Sequence, residues 1–306
     1  MIQVTNLSKS FNELKAVENI SFSINKGEVF GLLGPNGAGK STTINMMSTI
    51  LSSDNGTILI DGNDIKKSPN ICKTLIGVVP QEISLYDDFT AYENLLFWGQ
   101  LYKIPSKELK ERIATILELI GLSDRKNDLI KTYSGGMKRR INIASAILHK
   151  PKILFMDEPT VGVDPQSRNR IFEIVENLNK LGMTIVYTTH YMEEVERLCN
   201  RIAIIDDGKI VAQGTQSELQ KESNVKETIE IMFQTITTNQ VKKLKEIFPS
   251  VVQNKQSITI VCDANKELST IISICNSENL QIEDLKLNKV NLETIFLNFT
   301  GKQLRD

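Results

Sequence analysis

The sequence predicts an α/β fold with an antiparallel β-ribbon, a helical insertion and a small α+β C-terminal domain. Three observations carry that expectation. Gly34-Pro35-Asn36-Gly37-Ala38-Gly39-Lys40-Ser41-Thr42 reads G-x-x-x-x-G-K-[ST], between the apolar residues 29–33 and a helical stretch that continues from Thr42. Ile153-Leu154-Phe155-Met156 forms a four-residue apolar run that delivers Asp157 and Glu158 to a strand end; ligands of open α/β sheets bind at that edge. From about Val225 a fresh alternation of strand and helix patterns begins, which sets a second domain apart from the first.

With 306 residues, 41% hydrophobic and 24% charged, the chain can bury one large core or two modest ones. A formal net charge of −1 gives no basic excess, so no direct nucleic-acid partner is expected. Residues 1–6 lack a charged segment followed by an apolar one, and no apolar run reaches about 18 residues; neither a secretion signal nor a membrane span is expected. Cys72, Cys199, Cys262 and Cys275 lie far apart without C-x-x-C pairing, which favours reduced, buried thiols.

Taken in order, residues 2–30 alternate apolar and polar and predict the β-ribbon. Phe11, in the polar turn Ser10-Phe11-Asn12, either stacks on an adenine ring or packs in the hairpin; its polar flanks favour stacking. In the loop, glycines let backbone N–H groups converge on phosphate, and the helix start adds partial positive charge. Lys40 would reach the β- and γ-phosphates and Ser41 would ligate Mg²⁺. The pattern arises by chance in about one chain in a hundred of this length. Its strand–loop–helix setting lowers that figure.

A short strand follows at 57–60 and a buried one at 75–79, which stops at Pro80-Gln81. Gln81 either ligates Mg²⁺ and holds a water or is a surface amide; position alone does not separate the two. Residues 84–133 form the helical insertion. Thr90-Ala91-Tyr92-Glu93 is a capping box opening a helix through Gly99, and Ser106 is expected to cap a helix from Lys107 to about Gly121. The only tryptophan, Trp98, is expected in the core.

Tyr133-Ser134-Gly135-Gly136-Met137 then opens a helix that runs to about His149, again a hydroxyl cap with unshielded N–H groups. Lys138-Arg139-Arg140 is unusual there, because cations oppose the dipole of a helix start; the triplet is either solvated or paired. His149, at the helix end, suits that dipole. Asp157 can hold Mg²⁺ through its water shell, and Glu158 can take a proton from an attacking water. Gly162-Val163-Asp164-Pro165 is a turn before a helix over 166–181. The strand 184–189 ends at His190, for which a γ-phosphate contact is favoured over a purely structural role. Residues 202–211 read as a hairpin with a Gly turn.

Together these motifs resemble the nucleotide-binding subunit of an ATP-binding cassette (ABC) transporter over residues 1–220. Residues 34–42 match Walker A, Gln81 the Q-loop, Tyr133–Met137 the signature, Ile153–Glu158 Walker B, Gly162-Val163-Asp164 the D-loop and His190 the switch histidine. Tyr133 and Met137 depart from the usual Leu and Gln. The form Tyr-Ser-Gly-Gly-Met-Lys-Arg-Arg resembles drug- and antibiotic-exporter ATPases of the ABC-2 type.

The resemblance implies that ATP and Mg²⁺ are bound, with Glu158, His190 and Gln81 catalytic. Phe11, Asn36, Gly37, Ala38, Gly39, Lys40, Ser41, Thr42 and Asp164 would surround the nucleotide, and Ser41, Gln81 and Asp157 the metal. It implies a head-to-tail homodimer in which Ser134, Gly135 and Gly136 of one copy close over ATP held by the other. A separate transmembrane permease would hold the chain at the cytoplasmic face of the membrane. The rival is a soluble ABC protein of translation, repair or cluster assembly; it lacks support from a second cassette or a long coiled coil.

Domains are expected at 1–222 and 223–306. The second reads β-α-β-α-β-α and resembles ferredoxin-like accessory domains. Its end, residues 291–301, resembles the tail of daunorubicin-exporter-type ATPases. An assembly or regulatory module and a merely stabilising appendage both fit.

Overall fold

The computed structural model describes residues 1–262 and 264–301. They form two compact units, Met1–Gln216 and Ser217–Gly301. In the first, the chain runs β1 (Ile2–Phe11), β2 (Leu14–Ile24), β3 (Val29–Leu33), α1 (Lys40–Met47), β4 (Asn55–Ile60), β5 (Asn63–Asp64), α2 (Pro69–Leu75) and β6 (Ile76–Val79). It continues through α3 (Ala91–Leu101), α4 (Ser106–Leu119), α5 (Gly135–Ile147), β7 (Ile153–Asp157), α6 (Pro165–Lys180), β8 (Thr184–Thr189), α7 (Met192–Leu198), β9 (Arg201–Asp206) and β10 (Lys209–Gly214).

Six strands form one sheet in the order β10-β9-β3-β8-β7-β6, parallel except for the edge strand β10. Its register sets the site. Leu33, the last residue before the glycine loop, lies opposite Thr189, and Asp157 lies opposite Thr188. Val79 lies opposite Met156, so the loop carrying Gln81 leaves from the same edge. The four motifs therefore meet because parallel strands end together.

The sheet is buried on both faces, which is why β7 reads as an unbroken apolar run. Leu154 and Met156 join the core beneath α3, α4, α5 and α6, while Ile153 and Phe155 join the opposite core. That second core is closed by the antiparallel sheet β2-β1-β4-β5. There the alternating Phe22 stacks on Phe30 of β3, with ring centroids 5.4 Å apart.

Two local expectations are corrected here. Ser106 does not cap α4; Pro105 occupies the cap position, and Ser106 already lies in the first turn. Leu75 closes the short helix α2 rather than opening β6. The capping box at Thr90 is present, with the hydroxyl accepting from Glu93 N and the Glu93 carboxylate accepting from Thr90 N. Trp98 packs against the core only in part.

The second unit takes in most of α8 (Gln216–Ser223), then β11 (Thr228–Phe233), α9 (Thr238–Ile247), β12 (Val252–Asn254), β13 (Ser257–Val261), α10 (Ala264–Ser277), β14 (Ile282–Asn288) and α11 (Leu292–Thr300). Its antiparallel sheet, β12-β13-β11-β14, contains one more strand than the expected alternation. β12 is three residues long and wholly exposed, so it carries no alternating signal. Ile229, Ile231 and Phe233 alternate along β11 into this unit's own core with Leu244, Ile258 and Ile271.

Candidate nucleotide site

The loop after β3 is shaped by its glycines. Gly39 has φ 103°, and a Cβ there would lie 2.4 Å from the Ala16 carbonyl oxygen, so no other residue fits. Lys40 begins α1 and is 4% exposed. Its ammonium donates to the carbonyls of Gly34 at 2.8 Å and Pro35 at 3.0 Å, which curls the loop over it. The loop borders a cavity of about 300 Å³ lined by Asn36, Gly37, Gly39, Lys40, Ser41 and Thr42 together with Gln81 and Glu158. Ala38 turns its methyl into the core.

Two carboxylates close the site. Asp157 Oδ1 accepts from Ser41 Oγ at 3.1 Å and from Thr188 Oγ1 at 2.6 Å. Glu158 then adopts φ +44°, unusual for a non-glycine residue. Its N–H is held by Thr188, 2.9 Å from Oγ1. That reversal carries its carboxylate to Lys40, with Nζ 3.0 Å from Oε1, and to His190, with Nδ1 3.2 Å from Oε2. A cation, a carboxylate and an imidazole thus form a continuous chain at the cavity wall.

Thr188 went unread in the sequence. A threonine in a buried strand needs a partner for its hydroxyl, and that requirement was the available signal. Glu194 is a second such residue, with no pattern in the sequence to mark it. It is buried, accepting from Thr160 Oγ1 at 2.6 Å and Tyr187 OH at 3.0 Å, and so ties α7 to the turn after Glu158.

Other predicted residues stand elsewhere. Phe11 is exposed at the β1–β2 hairpin, with the Lys9 ammonium 5.6 Å from its ring centre, and does not line the cavity. Ser134 caps α5 by accepting from Met137 N at 3.3 Å. Ser134 and Gly135 are exposed and face no part of this cavity's lining. Gly136 is buried; a Cβ there would meet Ser167 Cβ at 2.3 Å, so α5 and α6 abut through this glycine.

Asp164 caps α6, accepting from Ser167 N at 2.9 Å; that bond holds its carboxyl below the usual range. The Tyr133 ring is buried where the signature usually has Leu, and its hydroxyl donates to the Arg125 carbonyl at 2.5 Å. His149 departs from expectation. It stacks on Tyr102 with centroids 3.9 Å apart, bonds through Nε2 to the Ile76 carbonyl at 2.8 Å, and is held below the ordinary imidazole pKa by burial. A neutral ring, not a dipole-complementing cation, occupies that helix end.

A glycine loop at a helix start, with strand-end carboxylates and a strand-end histidine, defines a phosphate-loop ATPase of the cassette type. Residues 17–161 match the family model described as "ABC transporter". The linearmycin resistance ATP-binding protein LnrL of Bacillus subtilis (strain 168) is 45% identical over 311 residues, covering 100% of each chain. The daunorubicin/doxorubicin resistance ATP-binding protein DrrA of Streptomyces peucetius is 34% identical over 310 residues, covering 100% of this chain and 94% of its own.

Among solved structures, an ATP-binding subunit of an ABC transporter superposes with TM-score 0.67 at 28% identity, covering 73% of this chain and 93% of that one. A dimeric post-hydrolysis ATP-binding cassette bound to ADP and Pi gives 0.63 at 27%, covering 70% and 98%. The chain belongs to the ATP-binding family of ABC transporters and is an ATPase of that family. Among the described residues, no helix is long and apolar enough to cross a membrane.

Proposed function

We propose that this chain is the ATP-hydrolysing subunit of an exporter of antibiotic, drug or lipid-like amphipathic compounds, with the membrane-spanning permease a separate chain. The end-to-end 45% identity to a linearmycin resistance ATP-binding protein carries this reading, and relatives named for daunorubicin resistance and Nod factor export support it. The chain works as a head-to-tail homodimer, peripheral to the membrane at its cytoplasmic face. The exposure of Ser134 and Gly135, neither of which lines the cavity beside Lys40, supports their use on a second copy's nucleotide.

In this reading Lys40 and the loop N–H groups bind the β- and γ-phosphates, and Phe11 stacks on adenine. The oxygens of Ser41 and Asp157, 3.1 Å apart, with the Gln81 amide, are hard donors of the kind Mg²⁺ takes. Bound with ATP, Mg²⁺ supplies charge neutralisation between the phosphates. Glu158 accepts a proton from the attacking water once Lys40 turns to phosphate. His190 orients Glu158 and donates to the γ-phosphate, and Asp164 lies at the copy-to-copy seam. The unit Ser217–Gly301 serves assembly or regulation.

The test is affinity capture of the tagged chain from detergent-solubilised membranes of its source. A stoichiometric multi-spanning partner is expected. Recovery only from the soluble fraction, alone or with soluble partners, would replace the exporter reading with that of a soluble ABC ATPase.

A further inference from the structure

We propose that Arg139 is a positioning residue for Gln81, which makes the signature helix set the geometry of its own copy's nucleotide site. The inference rests on the reading of Gln81 given above. Arg139 belongs to the basic triplet that opens α5, where cations oppose the helix dipole. Each member of the triplet leaves the helix for a different segment. Lys138 Nζ pairs with Asp87 at 2.6 Å, and Arg140 donates through Nη1 to the Ile120 carbonyl at 2.8 Å. Arg139 turns inward and is 5% exposed. Its Nη1 donates to two successive carbonyls, Pro80 at 3.0 Å and Gln81 at 2.7 Å.

Those are charge-assisted bonds to the loop that presents Gln81 to the cavity. One turn on, Asn142 Oδ1 accepts from Ser84 N at 3.3 Å. A single helix thus holds the loop at Pro80, Gln81, Ser84 and Asp87. Burying a guanidinium against two carbonyls is a costly way to pack a helix; burial depresses its pKa, Tyr187 opposes that in part, and among the described residues no carboxylate does. An uncharged side chain would fill the space more cheaply. What the charge adds is a fixed direction for the peptide bearing Gln81. The same helix is capped by Ser134, so any shift of the signature on its partner's ATP is passed through Arg139 to Gln81.

A double-mutant cycle of ATP turnover on the full chain tests this, using Arg139→Met, Gln81→Ala and the pair. Arg139→Met is expected to lower kcat about tenfold while KM for ATP changes less than about twofold. The pair is expected to fall no further than Gln81→Ala alone. If the Met variant does not fold, Arg139→Lys takes its place, with a smaller loss that again vanishes in the Gln81→Ala background. Multiplying effects, or wild-type kcat in the Arg139 variant, would overturn the proposal. Wild-type turnover in Gln81→Ala alone would instead remove the role assigned to Gln81, a distinct outcome that also overturns the proposal.

Discussion

Lys40 Nζ lies 3.0 Å from Glu158 Oε1, both side chains almost wholly buried, although the two residues belong to different motifs 118 positions apart in sequence. Under the proposed function the pair joins the group assigned to phosphate to the group assigned the proton. On that proposal, nucleotide entry exchanges this ion pair for one between Lys40 and phosphate. Lys40→Ala removes the only ammonium that lines the cavity among the described residues, and equilibrium dialysis with ATP is expected to show binding lost. Unchanged affinity would take the phosphate role away from Lys40.

Gly136 is fixed by packing. Because a Cβ there would meet Ser167 Cβ at 2.3 Å, Gly136→Ala must push α5 away from α6. Urea unfolding is expected to show a loss of about 1–3 kcal/mol, the usual cost of overpacking. Turnover is expected to fall with it. A variant as stable as the parent would mean the two helix starts separate freely.

Stability should also depend on pH through His149. Burial is the main cause of its lowered pKa, against an opposing pull from its bond to the Ile76 carbonyl, and Arg112 adds to the lowering. The folded pKa is therefore below the unfolded one. Above the unfolded value of about 6.5, both states are neutral there and the contribution is complete. As pH falls below it, the unfolded chain binds the proton first, and stability declines until the folded pKa is passed. His149→Phe, which keeps the stack on Tyr102, is expected to flatten unfolding free energy between pH 7.5 and 5. An unaltered slope would show that other groups set it.

What could be read in the sequence was what is local. The glycine loop lies between its strand and its helix, and Asp157 and Glu158 directly follow the apolar run that buries them. Partners distant in sequence could not be read. Thr188 meets Glu158 across 30 positions, Arg139 reaches Gln81 across 58, and Glu194 meets Thr160 across 34. Nothing in a threonine, an arginine or a glutamate names such a partner until strand register brings the two together. β12 was invisible for the opposite reason: three exposed residues bury nothing and leave no pattern. His149 misled because a helix-end histidine next to solvent and one beneath Tyr102 look alike in sequence.

In the proposed function Glu158 is the group that ends an ATP-closed dimer, and the mass and bound nucleotide of Glu158→Gln report on it most directly. The amide keeps the side chain's shape and removes the base, so turnover should fall at least about a hundredfold while ATP still binds. Light scattering in Mg²⁺ and ATP is predicted to give twice the 34.4 kDa chain mass, with two ATP per dimer. A monomer that holds ATP, or wild-type turnover in this variant, would contradict the account.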